Sequence, residues 1–205
     1  MDLGGRTATL TQRTDYPWKE TVRLRVDPAA ATPATFAVAL RIPGWCRRAR
    51  LSVNGHPLAL RPILKTGYAF IRREWRRGDR IELTLPMPPE RIEAHPKVRM
   101  NNGRVTLMRG PLVYCLEQVD NGPDLNAVSL PREAAIRARF DKDVMGGVVL
   151  LTAKGHRRPD REWKDSLYRA VTGAARSQSV PLTAVPYCLW NNRGDGEMLV
   201  WIRED

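Results

Sequence analysis

The stretch LRIPGWCRRARLSVNG, residues 40–55, shows how this chain builds its elements and where it interrupts them. Every second residue is apolar up to Ile42, and the alternation resumes at Leu51 after a polar break. A period of two predicts strands that have one face in a core and the other in water. Asn54-Gly55 favours a two-residue hairpin turn, because both residue types accept a positive φ. The stretch therefore predicts strands joined by turns.

The same alternation recurs along most of the chain. Its clearest runs are Val22, Leu24 and Val26; Phe36, Val38, Leu40 and Ile42; and Ile81, Leu83 and Leu85. Turn residues separate strands at intervals of roughly 10 to 15 residues, which is typical of a β-sandwich and not of a βαβ fold. Because 205 residues suffice for two ordinary domains, we predict an all-β protein with two consecutive antiparallel β-sandwich domains.

A domain boundary is predicted where the alternation lapses, around residues 88–104, in a stretch with two proline clusters and an Asn-Asn-Gly turn. We expect the first domain to span residues 1–97 and the second residues 98–205. In the second domain, strands are predicted at about 105–119, 134–140, 147–153, 182–190 and 197–203. Residues 155–179 are polar without clean periodicity and predict a long loop.

Composition narrows the classes of function. The chain has 34 Lys plus Arg against 22 Asp plus Glu, a net charge of +12, which would attract polyanions. The cations are scattered, and no zinc-finger or RNP-like motif accompanies them, so we expect no nucleic-acid partner. Without a long apolar run or a signal peptide in this sequence, we expect no membrane partner and a cytoplasmic location.

Residue types that could support catalysis are present but do not form recognisable sites. The carboxylate pairs are Glu90 with Glu93, Glu117 with Asp120, and Glu74 with Asp79; the histidines are His56, His95 and His156; the cysteines are Cys46, Cys115 and Cys188. No motif fixes a carboxylate pair, and no histidine has a nucleophile motif beside it. No His or Cys stands at metal-ligand spacing. We predict no catalytic, cofactor-binding or metal-binding residue, and reduced, buried cysteines.

Aromatic side chains leave a second class open, because exposed aromatic faces can stack on sugar rings. The six tryptophans are Trp18, Trp45, Trp75, Trp163, Trp190 and Trp201. Trp201 lies within an alternating run and is expected in a core, whereas Trp18 and Trp75 lie near turns and could be half exposed. We therefore predict Trp18 and Trp75 as candidate carbohydrate contacts.

Several motifs occur together in one order. They are TDYPW, ALRIPGWC, LSVNG, GYAFIRREWRRGDRIELTLPMP, AHPKVRMNNGRVTLMRGPLVYCLEQVDN and AVPYCLWNNRGDGEMLVWI. This order resembles the C-terminal half of glycoside hydrolase family 127, the β-L-arabinofuranosidase family. The resemblance covers most of residues 8–122 and about 181–203. It departs from the family pattern after YPW, where KET replaces an expected acidic-Gly pair.

The resemblance implies an enzyme whose long N-terminal part is a catalytic (α/α)6 barrel, followed by two β-sandwich domains. It implies retaining hydrolysis by a cysteine nucleophile in a zinc site of one glutamate and three cysteines, with a second glutamate as acid/base. Coordination by zinc deprotonates a thiol. All of these residues belong to the barrel, and no position of this chain matches them.

The resemblance therefore predicts accessory domains without their catalyst, from a truncated or split gene. Their partners would be a separately encoded barrel, a second copy in a homodimer and a plant glycan. The alternative is a stand-alone carbohydrate-binding module. In either case Cys46 is interpreted as a small residue packed beside Trp45 and not as a reactive thiol.

Overall fold

A computed structural model describes residues 7–29, 32–158, 167–168, 170 and 177–205. The chain divides into two compact units, residues 1–87 and 88–205. Strands dominate both units, which confirms the all-β prediction. Within the described residues, no helix has the length and apolar character needed to cross a membrane.

The first unit contains two antiparallel sheets. Its strands are β1 (Ala8–Thr14), β2 (Thr21–Pro28), β3 (Ala34–Arg41), β4 (Arg50–Val53), β5 (His56–Leu58), β6 (Leu64–Lys65), β7 (Tyr68–Trp75) and β8 (Asp79–Thr84). One sheet has the order β1-β2-β8-β4-β5 and the other β3-β7-β6. Alternate residues of both sheets form one apolar core, as the period of two predicts.

Local sequence explains the turns of this unit. Asn54 and Gly55 have φ values of 51° and 82° between β4 and β5, as the hairpin prediction requires. The Asp79 carboxylate accepts hydrogen bonds from the Arg76 N–H at 2.9 Å and from Asn54 Nδ2 at 2.8 Å. One side chain thus closes the turn before β8 and ties it to the neighbouring hairpin.

The second unit has more strands and short helices. Its strands are β9 (Pro89–Glu93), β10 (Arg104–Arg109), β11 (Leu112–Glu117), β12 (Val128–Leu130), β13 (Arg137–Asp141), β14 (Val148–Arg157), β15 (Gln178–Pro186), β16 (Met198–Leu199) and β17 (Ile202–Glu204). The α-helix α1 is Gln118–Asn121, and 3-10 turns occur at Arg99–Asn101, Leu125–Ala127 and Tyr187–Leu189.

Strand pairing joins the layers of the second unit into one continuous sheet. The pairings follow the circuit β10-β11-β15-β14-β12-β17 and return from β17 to β10. Strands β9, β16 and β13 add to β10, β11 and β14. Among the described strands, the β12–β17 pair is parallel and the others are antiparallel. The circuit encloses a core that includes Leu107, Leu116, Leu151 and Ile202.

The domain boundary lies at Met87, ten residues earlier than predicted. The reason is β9, which pairs along its length with β10 and therefore belongs to the second unit. Its sequence, PERIE, follows a proline cluster that sequence reasoning took as part of a linker. Pairing with the next strand, and not local composition, places this short edge strand in the second unit.

Several strand predictions need correction. The predicted strand 105–119 is two strands, because Gly110 adopts a φ of 58° and turns the chain. The predicted strand 197–203 is also two strands, and no alternation in the sequence predicts β12. The ends of the predicted 155–179 loop belong to β14 and β15. Most of the rest of that loop lies outside the described residues.

Candidate functional site

The segment after β15, residues 187–197, presents two aromatic rings at the surface of the second unit. Tyr187 is 45% exposed and Trp190 is 40% exposed. Their ring centroids are 6.1 Å apart, with an interplanar angle of 6°. We call this pair the aromatic shelf. Two nearly parallel, half-exposed rings form a surface suited to an apolar or sugar face.

A buried carboxylate holds this segment in place. Glu117, at the end of β11, is 3% exposed, and its Oε1 accepts the Asn191 N–H at 2.9 Å. Its Oε2 pairs with Arg193, whose Nη1 also donates to Asp120 Oδ1 at 2.8 Å. Asn191 itself has a φ of 64°. The tight turn therefore depends on a charged anchor beneath it.

The three charged groups, Glu117, Asp120 and Arg193, are called the Arg193 clamp. The hydrogen bonds that Arg193 donates to Asp120 and to Glu117 raise its pKa, although burial opposes this, so the guanidinium stays charged. Both carboxylates bind this guanidinium. A glycosidase pair instead needs one protonated carboxyl that can donate to a leaving group. The clamp is thus an anchor and not an acid/base pair.

The other carboxylate pairs do not form catalytic dyads. Asp79 is buried in its turn, whereas Glu74 is exposed and 3.6 Å from Arg76. Glu90 and Glu93 lie three residues apart on β9, so their side chains point to opposite faces. Of the predicted pairs, and within the part of the chain that the structure describes, only Glu117 and Asp120 bind one guanidinium, that of Arg193.

The histidines occupy separate places. His56 is exposed on β5, and His95 accepts the Lys97 N–H at 3.2 Å. His156 lies 3.5 Å from Asp205, whose same oxygen accepts the Ser129 hydroxyl at 2.8 Å. Sequence reasoning missed this group, because its members are distant in the chain and meet only through β12–β14 pairing. The carboxylate, and not the imidazole, contacts the hydroxyl, so the group lacks the order of a nucleophile–base–acid triad.

The cysteines are free thiols in two kinds of environment. Cys46 is buried in the first core, against which Trp45 also packs, and burial raises the pKa of its thiol. Burial raises the pKa of Cys115 to about 12. Cys188 is exposed, so the prediction that all three are buried is wrong for this residue. Cys46 therefore has the environment of a packing residue, which agrees with its interpretation from the sequence.

Among the described residues, the structure brings no ligand set for the implied zinc site together. The described residues contain no group of three or more His, Cys, Asp or Glu side chains that could hold a metal ion. The thiols present therefore do not fit a ligand set of one glutamate and three cysteines.

The two predicted sugar contacts have different environments. Trp75 is fully buried and its indole N–H donates to the Phe36 carbonyl at 3.1 Å, so the prediction that its face is open is wrong. The alternation of β7 directs Trp75 into the core, although a turn follows directly. Trp18 is half-buried, and its role as a sugar contact stays a prediction. Trp201 is also half-buried.

These features define the class of protein as a tandem of two β-domains. In the part of the chain that the structure describes, the charged clusters around Asp79 and Glu117 stabilise turns. Residues 1–87 match the family description "Beta-L-arabinofuranosidase, GH127 middle domain", and residues 89–203 match "Glycoside hydrolase family 127 C-terminal domain". The chain belongs to glycoside hydrolase family 127. This confirms the family resemblance seen in the motifs.

Individual relatives agree with this assignment. The chain is 37% identical over 204 residues to a non-reducing end β-L-arabinofuranosidase of Bifidobacterium longum subsp. longum, covering 95% of the chain and 30% of the relative. A crystal structure of a GH127 β-L-arabinofuranosidase from Geobacillus stearothermophilus T6 is 48% identical with a TM-score of 0.94. The structural match covers 100% of this chain and 32% of the Geobacillus chain. The chain thus spans about a third of the length of these relatives.

Proposed function

We propose that this chain supplies the non-catalytic middle and C-terminal β-domains of a family 127 glycoside hydrolase. The observation that carries the proposal is the match of residues 1–87 and 89–203 to the two corresponding domains. The catalytic partner is an (α/α)6 barrel, which also holds the zinc. The described carboxylates support the proposal, since those of the Arg193 clamp and of Asp79 are engaged in fastening turns.

The substrate of the assembled enzyme would be a β-L-arabinofuranoside of a plant glycan. The names of the Bifidobacterium and Geobacillus relatives support this choice. The physical role of the two domains would be to cover one flank of the barrel and to offer a surface for a homodimer. Apolar side chains that are exposed in the chain alone, such as Tyr68 and Phe70, are suited to such contacts.

A chimera tests the accessory role directly. Residues 1–205 would replace the matching third of the Geobacillus enzyme, whose fold they reproduce with a TM-score of 0.94. We expect the chimera to hydrolyse a β-L-arabinofuranoside, while the purified chain alone releases no arabinose with or without added zinc. A chimera carrying Trp75→Ala is the control for a damaged accessory fold. Turnover by the chain alone, or a folded but inactive chimera, would overturn the proposal.

A second candidate function is carbohydrate binding, and the aromatic shelf favours it. Tyr187 and Trp190 are half-exposed and nearly parallel, and the Arg193 clamp fixes the turn that carries them. A preorganised aromatic surface loses little conformational entropy when a sugar stacks on it. Titration calorimetry with soluble arabinan would test this role. We expect Trp190→Ala to abolish the heat of binding and the matched variant Trp18→Ala to retain it; the reverse result would assign the contact to the first unit.

A further inference from the structure

An open groove lies between the two sheets of the first unit, and its volume is about 660 Å³. Strand β5 of the five-stranded sheet and the loop after it line one side, with the half-buried Leu58 and Ile63. The end of β7 lines the other side, with the exposed Arg72 and Arg73. The groove therefore has an apolar wall that faces a cationic one.

Arg73 stands at an unusual position for a charged side chain. The buried residues of β7 are Ala69, Ile71 and Trp75, and Arg73 falls in the same alternation but is exposed. Because an unpaired charge is costly inside an apolar core, the core has to end where this arginine begins. The groove lies at that place, so the Arg73 charge faces the groove and not the core.

The Arg73 guanidinium is held in place by one of its nitrogens and by its flat face. Its Nε donates to the Glu74 carbonyl at 3.0 Å, and its Cζ lies 5.2 Å from the centroid of the Trp75 ring, which stabilises a cation. Among the described residues, no acceptor contacts Nη1 or Nη2. These two nitrogens form a planar fork that matches the two oxygens of a carboxylate.

The carboxylates of the groove do not neutralise its arginines. Asp79 is buried and accepts the Arg76 N–H at 2.9 Å, and Glu74 lies 3.6 Å from the Arg76 guanidinium. Within the described ranges, Arg72 and Arg73 form no ion pair with a carboxylate. The whole chain has a net charge of +12, so the surrounding field also attracts anions.

The edge of β7 adds backbone donors but is too short to pair with a peptide strand. Phe70 N–H donates to the Ile63 carbonyl on the side away from β3, and β6 pairs with β7 no further than Ala69. Since backbone groups alternate sides along a strand, the N–H groups of the even-numbered residues 72 and 74 face the same side. The Glu74 carbonyl there already accepts Arg73 Nε. This geometry favours a compact anion over an extended peptide.

We propose that this groove binds a uronic acid residue of an acidic glycan. The Nη1 and Nη2 atoms of Arg73 hold the sugar carboxylate, Arg72 adds a second positive charge, and the C–H face of the sugar ring packs on Leu58 and Ile63. The choice of a glycan as the source of the carboxylate rests on the proposed function. The chimera measures hydrolysis and the experiment below measures binding, so the two proposals can fail independently.

Titration calorimetry of the chain with a galacturonic acid trimer tests the site. The fully methyl-esterified trimer, which has the same shape without the charges, should bind at least about tenfold more weakly. Arg73→Gln should weaken binding of the acid to a similar extent, and Arg73→Lys should recover only part of the affinity, because lysine keeps the charge but lacks the fork. The matched control is Arg23→Gln, which removes the same charge from the solvent face of the other sheet and should leave binding unchanged.

Amide NMR spectra locate the binding and report on folding. The signals of residues 72 and 74 should move when the acid trimer is added to the wild-type chain and stay in place in Arg73→Gln, whose other signals should keep their native positions. No binding of the acid trimer, or an equal loss of affinity in Arg73→Gln and Arg23→Gln, would overturn the proposal. An oligo-glutamate peptide that binds as tightly as the trimer would overturn the assignment to a sugar, because the groove would then recognise charge alone.

Discussion

The two units fasten their structures in different ways. The first unit buries Trp75 entirely and satisfies its indole N–H with a neutral carbonyl. The second unit uses ionic contacts, the Arg193 clamp under one turn and the largely buried Glu204 between Arg91 and the exposed Arg132. Apolar burial involves no titratable group, whereas a buried ion pair is costly to break because it leaves an unpaired charge. Removal of Trp75 should therefore destabilise the first unit, and removal of an ionic contact the second.

The largest effect on the free energy of unfolding is expected at Trp75, the buried tryptophan of the first unit. Trp75→Ala removes a large buried ring and should lower the free energy of unfolding by about 3–5 kcal/mol. Trp75→Phe, which keeps an aromatic ring, should cost less than half as much. Urea unfolding would give the free energies, and hydrogen exchange should rise in peptides from residues 8–84. A loss below about 1 kcal/mol for Trp75→Ala would contradict its role as the anchor.

A slightly smaller loss in the free energy of unfolding is expected at the Arg193 clamp. Glu117→Gln leaves Arg193 partly buried with one carboxylate partner and should cost about 3 kcal/mol. Exchange should increase in residues 187–197, which the clamp fastens. The control is Glu82→Gln, because Glu82 pairs with Arg23 at 2.8 Å on the solvent face. That change should lower the free energy of unfolding by under about 1 kcal/mol. An equal loss for both variants would show that the Arg193 clamp does not stabilise the second unit.

Acid should affect the second unit through Glu204. Hydrogen bonds from Arg132 and Arg91 outweigh burial and hold the pKa of this carboxyl below its ordinary value of 4.5. A carboxyl with a lower pKa in the folded state contributes stability above pH 4.5, and this is lost as the pH falls through the folded pKa. Glu204→Gln should cost about 2 kcal/mol at pH 7, and the difference should shrink below pH 4.5. A constant difference down to pH 2 would exclude this linkage.

The smallest expected effect is on the rate of thiol modification, with no loss of stability. A thiol reagent at pH 8 should modify Cys188 first, because it is exposed. Burial raises the pKa of Cys115 from 9.0 to about 12, which lowers its thiolate fraction about a thousandfold. Cys188→Ser should remove the fast phase, and denaturant should expose all three thiols. Rapid labelling of Cys46 in the native chain would contradict its burial in the first core.

Sequence reasoning worked best where one face of a strand is buried over several residues. In β3 and β8 the alternation predicts both the strand and the core face, because a shift by one residue would expose the whole apolar set. It failed for β12, where all three residues are buried. A strand covered on both faces has no period of two to detect.

Candidate sites were harder to predict than strands. Trp75 precedes a turn, and local sequence could not show that β7 directs its ring into the core. Arg193 and Glu117 are 76 residues apart, so no spacing rule links them. Trp190 is one of six tryptophans in the sequence. Only the structure shows that its ring is exposed and lies parallel to that of Tyr187.

The sequence alone determined the all-β class, the family and the inert character of Cys46, because alternation, turn residues and ordered motifs are local in the chain. Tertiary structure decided the boundary at Met87, the burial of Trp75, the clamp under the aromatic shelf and the groove beside Arg73. Each of these depends on which distant residues meet. Pairing and burial between such residues are set by the packed fold and leave no fixed spacing in the sequence.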